Sequence, residues 1–169
     1  MVLRPAGPLR DAALAVLDAE RGRLRSLGVP GELVLVGGSS VPGALTHGDV
    51  DLHLRVPPDA FRDAVARLRR TYRVVHPRIW TPTLATFELA VDDHTGPPVG
   101  VAATPRGSEH DVRFTRTWQL LAADPALLAE YNAVKLAGDG PQGAGYEARK
   151  SAFFDRLVAL WPSHPAAHP

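Results

Sequence analysis

Asp49 and Asp51 stand one residue apart, and nine residues separate Asp49 from Ser39 at the end of a Gly37-Gly38-Ser39 run. The whole stretch, Leu33 to Val56, reads LVLVGGSSVPGALTHGDVDLHLRV. Side chains alternate along a strand, so Asp49 and Asp51 share one face while Val50 and Leu52 share the other. Two carboxylates side by side repel each other unless a cation lies between them. Hard oxygen ligands suit Mg²⁺ or Mn²⁺, which keep water and accept phosphate oxygens as further ligands. Gly37 and Gly38 let the backbone approach a phosphate closely, and Ser39 or Ser40 can donate a hydroxyl. Phosphate, metal and paired aspartates together suit in-line phosphoryl or nucleotidyl transfer. The same residues also fit a solvated strand face with turn serines.

The surrounding pattern supplies elements to position them. Residues 8–27 read as an amphipathic helix closed by Gly28, Pro30 and Gly31. Leu33 to Val36 read as a short apolar strand, residues 37–48 as the loop, and 49–56 as a half-buried strand. A helix is predicted from Pro57-Pro58-Asp59 to about Arg70, with Phe61, Val65 and Leu68 inward and Arg62, Arg67, Arg69 and Arg70 outward. Tyr72–His76, Leu84–Val91 and Val99–Ala103 read as strands, the last two joined by a turn through Asp92 and Asp93. From Ser108 onward the chain reads as helical. Ser108 with Asp111 resembles a capping box, Asp124-Pro125 opens a further helix, 138–145 is a loop, and 146–161 is the last helix before a frayed tail. This gives an α/β (α+β) chain: a mixed sheet flanked by helices with a helical C-terminal half. One domain is expected, its core about 8–105 and its helical part about 108–161.

Composition narrows the functional classes. A net charge of +1 gives no global pull toward nucleic acid or membrane, so neither is an expected partner. No cysteine is present, which excludes disulfides and thiolate zinc sites. The first residues lack the apolar run of a signal peptide, and a cytoplasmic protein is expected. Of 19 basic residues only Lys135 and Lys150 are lysine. A compact ammonium suits point contacts to phosphate, which marks these two positions. The arginines between 62 and 73 read as a solvated helix face. They would suggest an acidic or polynucleotide substrate only if they bordered the cleft.

Gly38-Ser39 followed by Asp49-Val50-Asp51-Leu52 resembles the signature of the nucleotidyltransferase (polymerase beta-like) superfamily. The Val41-Pro42-Gly43 triplet makes the loop similar to that of the GrpB family. Trp118, Pro125, Tyr131, Lys135, Tyr146 and Lys150 fall on a pattern similar to that family's C-terminal half. The chain departs from the family at Thr46-His47-Gly48-Asp49, where Lys-Pro is usual, and at Val99-Gly100-Val101-Ala102, where a His-x-His strand is usual. The resemblance implies a nucleotidyltransferase that binds an NTP, ATP first among them, with Mg²⁺ and transfers a nucleotidyl group to a small acceptor. It implies a third carboxylate on a neighbouring strand, for which Glu88 is the choice. Asp49, Asp51 and Glu88 are then the catalytic and metal-binding set. Gly38, Ser39, Ser40, Lys135 and Lys150 are the nucleotide-binding set. His47, His53 and Arg55 are candidate substrate contacts. Two other readings stay open: the fold reused for other small-molecule chemistry in a specialised pathway, and a non-catalytic ligand-binding module.

Overall fold

The computed structural model describes residues 3–89, 96–137 and 145–159. The turn expected at Asp92 and Asp93, the end of the strand expected to reach Val91, most of the 138–145 loop, Trp161 and the tail lie outside the described residues. Helix α1 runs Gly7–Ser26, with Pro8 in its first turn, and Gly28 follows its end at φ 64°. Strand β2 is Glu32–Val36, and a 3-10 turn, Gly38–Ser40, follows it. Strand β4 is Val50–Val56 and helix α2 is Phe61–Leu68, preceded by a 3-10 turn at Pro58–Ala60. Strands β5 (Arg73–Val74), β6 (Ala85–Glu88) and β7 (Val99–Pro105) complete a sheet ordered β2-β4-β7-β6-β5. Neighbours pair antiparallel except β4 and β7, which run parallel. Helices α3 (Glu109–Ala123), α4 (Pro125–Leu136) and α5 (Tyr146–Ala159) follow. A two-stranded ribbon that hydropathy does not signal, β1 (Arg4–Pro5) with β3 (Leu45–Thr46), anchors the loop to the chain's start.

Alternation along β4 sorts the molecule into two layers. Val50, Leu52, Leu54 and Val56 point into a core shared with Leu17 and Leu24 of α1, Phe61 and Leu68 of α2, and Phe87 of β6. Burying each large side chain here is worth about 1.5–3 kcal/mol, enough to fix the strand's register. The Tyr72 hydroxyl donates to buried Glu20 Oε2 at 2.6 Å and ties α1 to the sheet. Asp51, His53 and Arg55 face the opposite way. There a second core, with Val41, Leu121, Tyr131, Phe153 and Leu157, packs α3, α4 and α5 against the loop. The arginine-rich side of α2 belongs to the first layer, and none of Arg62, Arg67, Arg69 and Arg70 lines the cleft on the second. Among the described residues no helix is long and apolar enough to cross a membrane.

Candidate functional site: a cleft between sheet and C-terminal helices

The cleft lies on the polar side of the sheet and encloses about 660 Å³. Gly37, Gly38, His47, Asp49 and Asp51 line one end, with Lys135 and Lys150 across from them. His76, Thr86, Glu88 and Gly100 line the sheet further along, and Phe114, Trp118, Tyr131 and Phe154 supply an aromatic wall from the helices.

The glycine turn is dictated by Asp51. A Cβ on Gly37 would fall 2.1 Å from Asp51 Oδ2, and its φ is 74°, so only glycine fits. At Gly38 a Cβ would meet the Leu45 carbonyl at 3.1 Å and Lys135 Nζ at 3.2 Å. Both serine hydroxyls are turned into the loop. Ser39 Oγ donates to the Asp49 carbonyl at 2.6 Å, and Ser40 Oγ donates to the Gly37 carbonyl at 2.7 Å. Ser39 is buried and lines a smaller hollow behind the loop instead of the cleft. The two halves of the motif are thus pinned together by the residue expected to touch phosphate. Thr46 adds a second brace, its hydroxyl donating to Asp49 Oδ1 at 3.2 Å.

Asp49 and Asp51 form no ion pair with any described residue within 4.0 Å. Burial, and then the neighbouring Asp49 charge, push the Asp51 carboxyl up to about 6. Lys135 is buried, donates to the Leu45 carbonyl at 2.7 Å and sits 4.9 Å from the Tyr131 ring. Burial lowers its pKa, against the pull of Asp49 and Asp51. An ammonium has three N–H groups, and the Leu45 bond takes one. Lys150 Nζ lies over the Tyr146 ring at 5.6 Å and 3.7 Å from Glu147 Oε2. His47 lines the cleft with its Nδ1 buried and without a hydrogen-bond partner among the described residues, and burial lowers its pKa.

The structure separates other expected residues from this end. Glu88 reaches the cleft, but the pairing register runs Asp51–Gly100–Glu88–Arg73 across four strands. Glu88 is therefore two strand spacings, about 10 Å, from Asp51. Arg73 holds it in an ion pair. The three carboxylates expected as one metal set do not converge, and no described group of three His, Asp or Glu side chains forms a metal cage. Asp49 and Asp51 alone still fit one divalent ion, since no described cation pairs with either directly and the ion's remaining positions take water and phosphate oxygen.

His53 and Arg55 are likewise withdrawn from the cleft. His53 is fully buried, its Nε2 bonded to Thr104 Oγ1 at 2.8 Å and its ring 5.2 Å from Phe114. Arg55 grips Asp111 with two bonds of 2.6 and 3.0 Å and also reaches Glu32 at 3.3 Å. Ser108 caps α3, its Oγ accepting from the Asp111 N–H at 3.3 Å, so the Ser108 half of the expected capping box forms. The Asp111 carboxylate, however, belongs to Arg55 and to the Gly107 N–H.

Sequence reasoning passed over Gly100, Phe114, Phe154 and His76 as cleft residues. His76 has φ 47°, a backbone setting costly outside glycine and characteristic of functional turns. The sequence does carry one signal for Gly100, a glycine set between two valines inside a strand.

No family model matches the chain. A UPF0157 protein of Vibrio cholerae is 28% identical over 124 residues, 73% of this chain and 63% of that protein, so the match spans under two thirds of the relative's length. Among solved structures, the conserved protein GrpB from Enterococcus faecalis superposes with TM-score 0.67 at 15% identity over 94% of this chain and 98% of its own. The Cid1 poly(U) polymerase with MgGTP bound gives 0.55 at 15% identity over 79% of this chain and 43% of its own. Cid1 in complex with its product ApU gives 0.52 at 17% identity over 79% and 41%. The chain carries the GrpB-like nucleotidyltransferase fold that its glycine-serine loop and aspartate strand resemble.

Proposed function

We propose that this protein is a nucleotidyltransferase that binds an NTP, ATP first among them, with Mg²⁺ and passes the nucleotidyl group to a small hydroxyl or amine acceptor in the cytoplasm. The observation that carries this reading is the pair Asp49 and Asp51, without a direct ion-pair partner among the described residues, facing a cleft whose same end holds the Gly37-Gly38 backbone, Lys135 and Lys150. Asp49 and Asp51 would hold the metal, which when bound offsets charge on the triphosphate. Lys135 and Lys150 bring positive charge to the phosphates from α4 and α5. Ser39 acts indirectly, by fixing the Asp49 backbone against the loop. The aromatic wall offers flat apolar surface for a base. In the transfer, the acceptor oxygen or nitrogen forms a bond to the α-phosphorus. The bond to the bridging oxygen breaks and pyrophosphate leaves with its electrons. The acceptor proton passes to Glu88. Cid1 carries MgGTP on a related fold, which supports metal-bound nucleotide as the ligand here.

Calorimetry with ATP and GTP, with and without Mg²⁺, tests the reading. Metal-dependent binding is expected in the wild type, weakened at least 100-fold in Asp51→Ala. No binding by the wild type, or equal binding by the variant, sinks it.

One observation favours a second reading. Glu88 is held by Arg73 away from the two aspartates. A fold reused for other small-molecule chemistry would then keep its activity in EDTA, where the first reading loses it.

A further inference from the structure

Every other glycine of the cleft has an internal reason to be glycine. Gly37 and Gly38 would collide with Asp51, the Leu45 carbonyl and Lys135. Gly100 has none. It lies inside β7 with no positive φ, and the nearest atom to a Cβ built there is Asp51 Oδ1 at 3.7 Å, an ordinary contact. A glycine within a strand gives up stability, since it has no side chain to pack and more backbone freedom to lose. Neither the backbone nor the packing of the protein itself asks for one here. The space above Gly100 is floored by β7, bounded by Asp51 on one neighbouring strand and Glu88 on the other, and open to the cleft. Asp51 faces this space with no direct ion-pair partner among the described residues, so the protein leaves the volume beside this carboxylate unfilled.

We propose that Gly100 is a specificity-determining position that keeps open a trough across β7, in which the acceptor lies with its hydroxyl or amine at Glu88. This rests on the nucleotidyl-transfer reading above. The two carboxylate rows are about two strand spacings, ~10 Å, apart, room for a phosphate-bearing group at the Asp51 end and a small molecule beside it. Arg73 pairs with the Glu88 carboxylate from the edge strand, on the side away from Gly100, and so bounds the far end of this trough. The acceptor class is a small, slender molecule that presents a hydrogen-bond donor. A branched or bulky one would need more than the width a glycine leaves.

The chain has no cysteine, so Gly100→Cys introduces a single thiol. Its alkylation by iodoacetamide at pH 8.5 is compared in the free protein, in the protein saturated with Mg²⁺ and a non-hydrolysable ATP analogue, and in urea. Gly100→Ala is followed by thermal unfolding. The expected results are three. Gly100→Ala melts at or above the wild-type temperature. The thiol of the ligand-free Gly100→Cys variant reacts within about tenfold of its unfolded rate. The nucleotide analogue changes that rate less than threefold, because it leaves the acceptor's place vacant. A melting point several degrees lower in Gly100→Ala would show that the fold itself needs the glycine, and an unreactive thiol would show that no trough is open. Either overturns the proposal. Strong protection by the nucleotide analogue would give the trough to the nucleotide and overturn the acceptor assignment. If calorimetry finds no nucleotide binding to the wild type, the transfer reading fails and the acceptor assignment with it, even where the thiol result shows the trough open.

Discussion

Asp51, His53 and Arg55 occupy one face of one strand, yet the two ends of that face have opposite fates. At the loop end Asp51 meets Gly100 across the ladder and looks into the cleft. Two and four residues on, His53 and Arg55 are sealed against Thr104 and the first turn of α3, where Asp111 receives both guanidinium bonds. The difference lies in what covers them. The protein pairs Arg55 directly with an acid and leaves Asp51 with only the more distant pull of Lys135 and Lys150. A polar strand face can thus be half structure and half site, and only the covering elements say where one becomes the other.

The largest break in this comparison should come from the sealed end. Asp111→Ala takes the buried acid from Arg55 and leaves it only the exposed Glu32, and loss of one member of a buried pair is worth about 3–5 kcal/mol. Urea unfolding should show that loss. Protein that stays folded should bind MgATP within about threefold of wild type, and a variant of unchanged stability would mean the network is ornamental.

The pH dependence sharpens the contrast, because the two ends have opposite signs. Burial pushes His53 down to about 4 from an ordinary 6.5, so the unfolded chain takes up a proton that the folded one refuses. Stability from this group is present above 6.5 and lost as pH falls toward 4, on the order of 3 kcal/mol. Asp51 is raised to about 6 from 3.8, so the folded chain takes its proton first and gains stability as pH falls through that window. That gain is on the order of 2 kcal/mol, allowing for solvent at the carboxylate. The wild type should therefore have a shallow profile between pH 6.5 and 4. Asp51→Asn should be more stable at pH 8 and lose stability more steeply on acidification. Parallel profiles of the two proteins in urea melts would refute the assignment.

The smallest effect belongs to the cleft's far end. Arg73 is two-thirds exposed, so its pair with Glu88 is a surface pair. Arg73→Ala should change unfolding free energy by less than about 1 kcal/mol. On the proposed reading it should slow acceptor transfer more than it weakens nucleotide binding, and pyrophosphate release against MgATP affinity would separate the two.

Much of this was legible in the residues. The apolar and polar alternation of 50–56 placed Leu52 and Leu54 in the core and Asp51 away from it, because register is set by burial. The helix start at Asp124-Pro125 followed from the geometry those residues impose, and the first helix from its apolar period. The roles of Ser39, His53 and Arg55 did not follow, since each depends on a partner that sequence spacing cannot supply. Ser39 meets a backbone carbonyl that belongs to Asp49, and Arg55 meets an aspartate 56 residues away. Asp111 shows why a local reading stops short: Ser108 caps its backbone N–H as expected, while its side chain serves Arg55 instead of closing the capping box. The strand at 72–76 shrank to Arg73–Val74 at the sheet's edge, where Thr86 Oγ1 and not a ladder partner takes the Val75 carbonyl.

The hold of α4 on the glycine loop bears on how the molecule comes into being. Asn132 treats the 43–45 segment as a strand would, accepting from the Leu45 N–H at 2.8 Å and donating to the Gly43 carbonyl at 2.9 Å, and Lys135 adds its bond to Leu45. These partners are 87 to 90 residues apart. Contacts of such separation carry a high loop-closure cost and form late. During synthesis the sheet can assemble while its loop is held only by β1 and by its own serine and threonine bonds. The loop takes its final shape only when α4 has emerged and docked, so this end of the cleft is completed by a helix about 90 residues downstream.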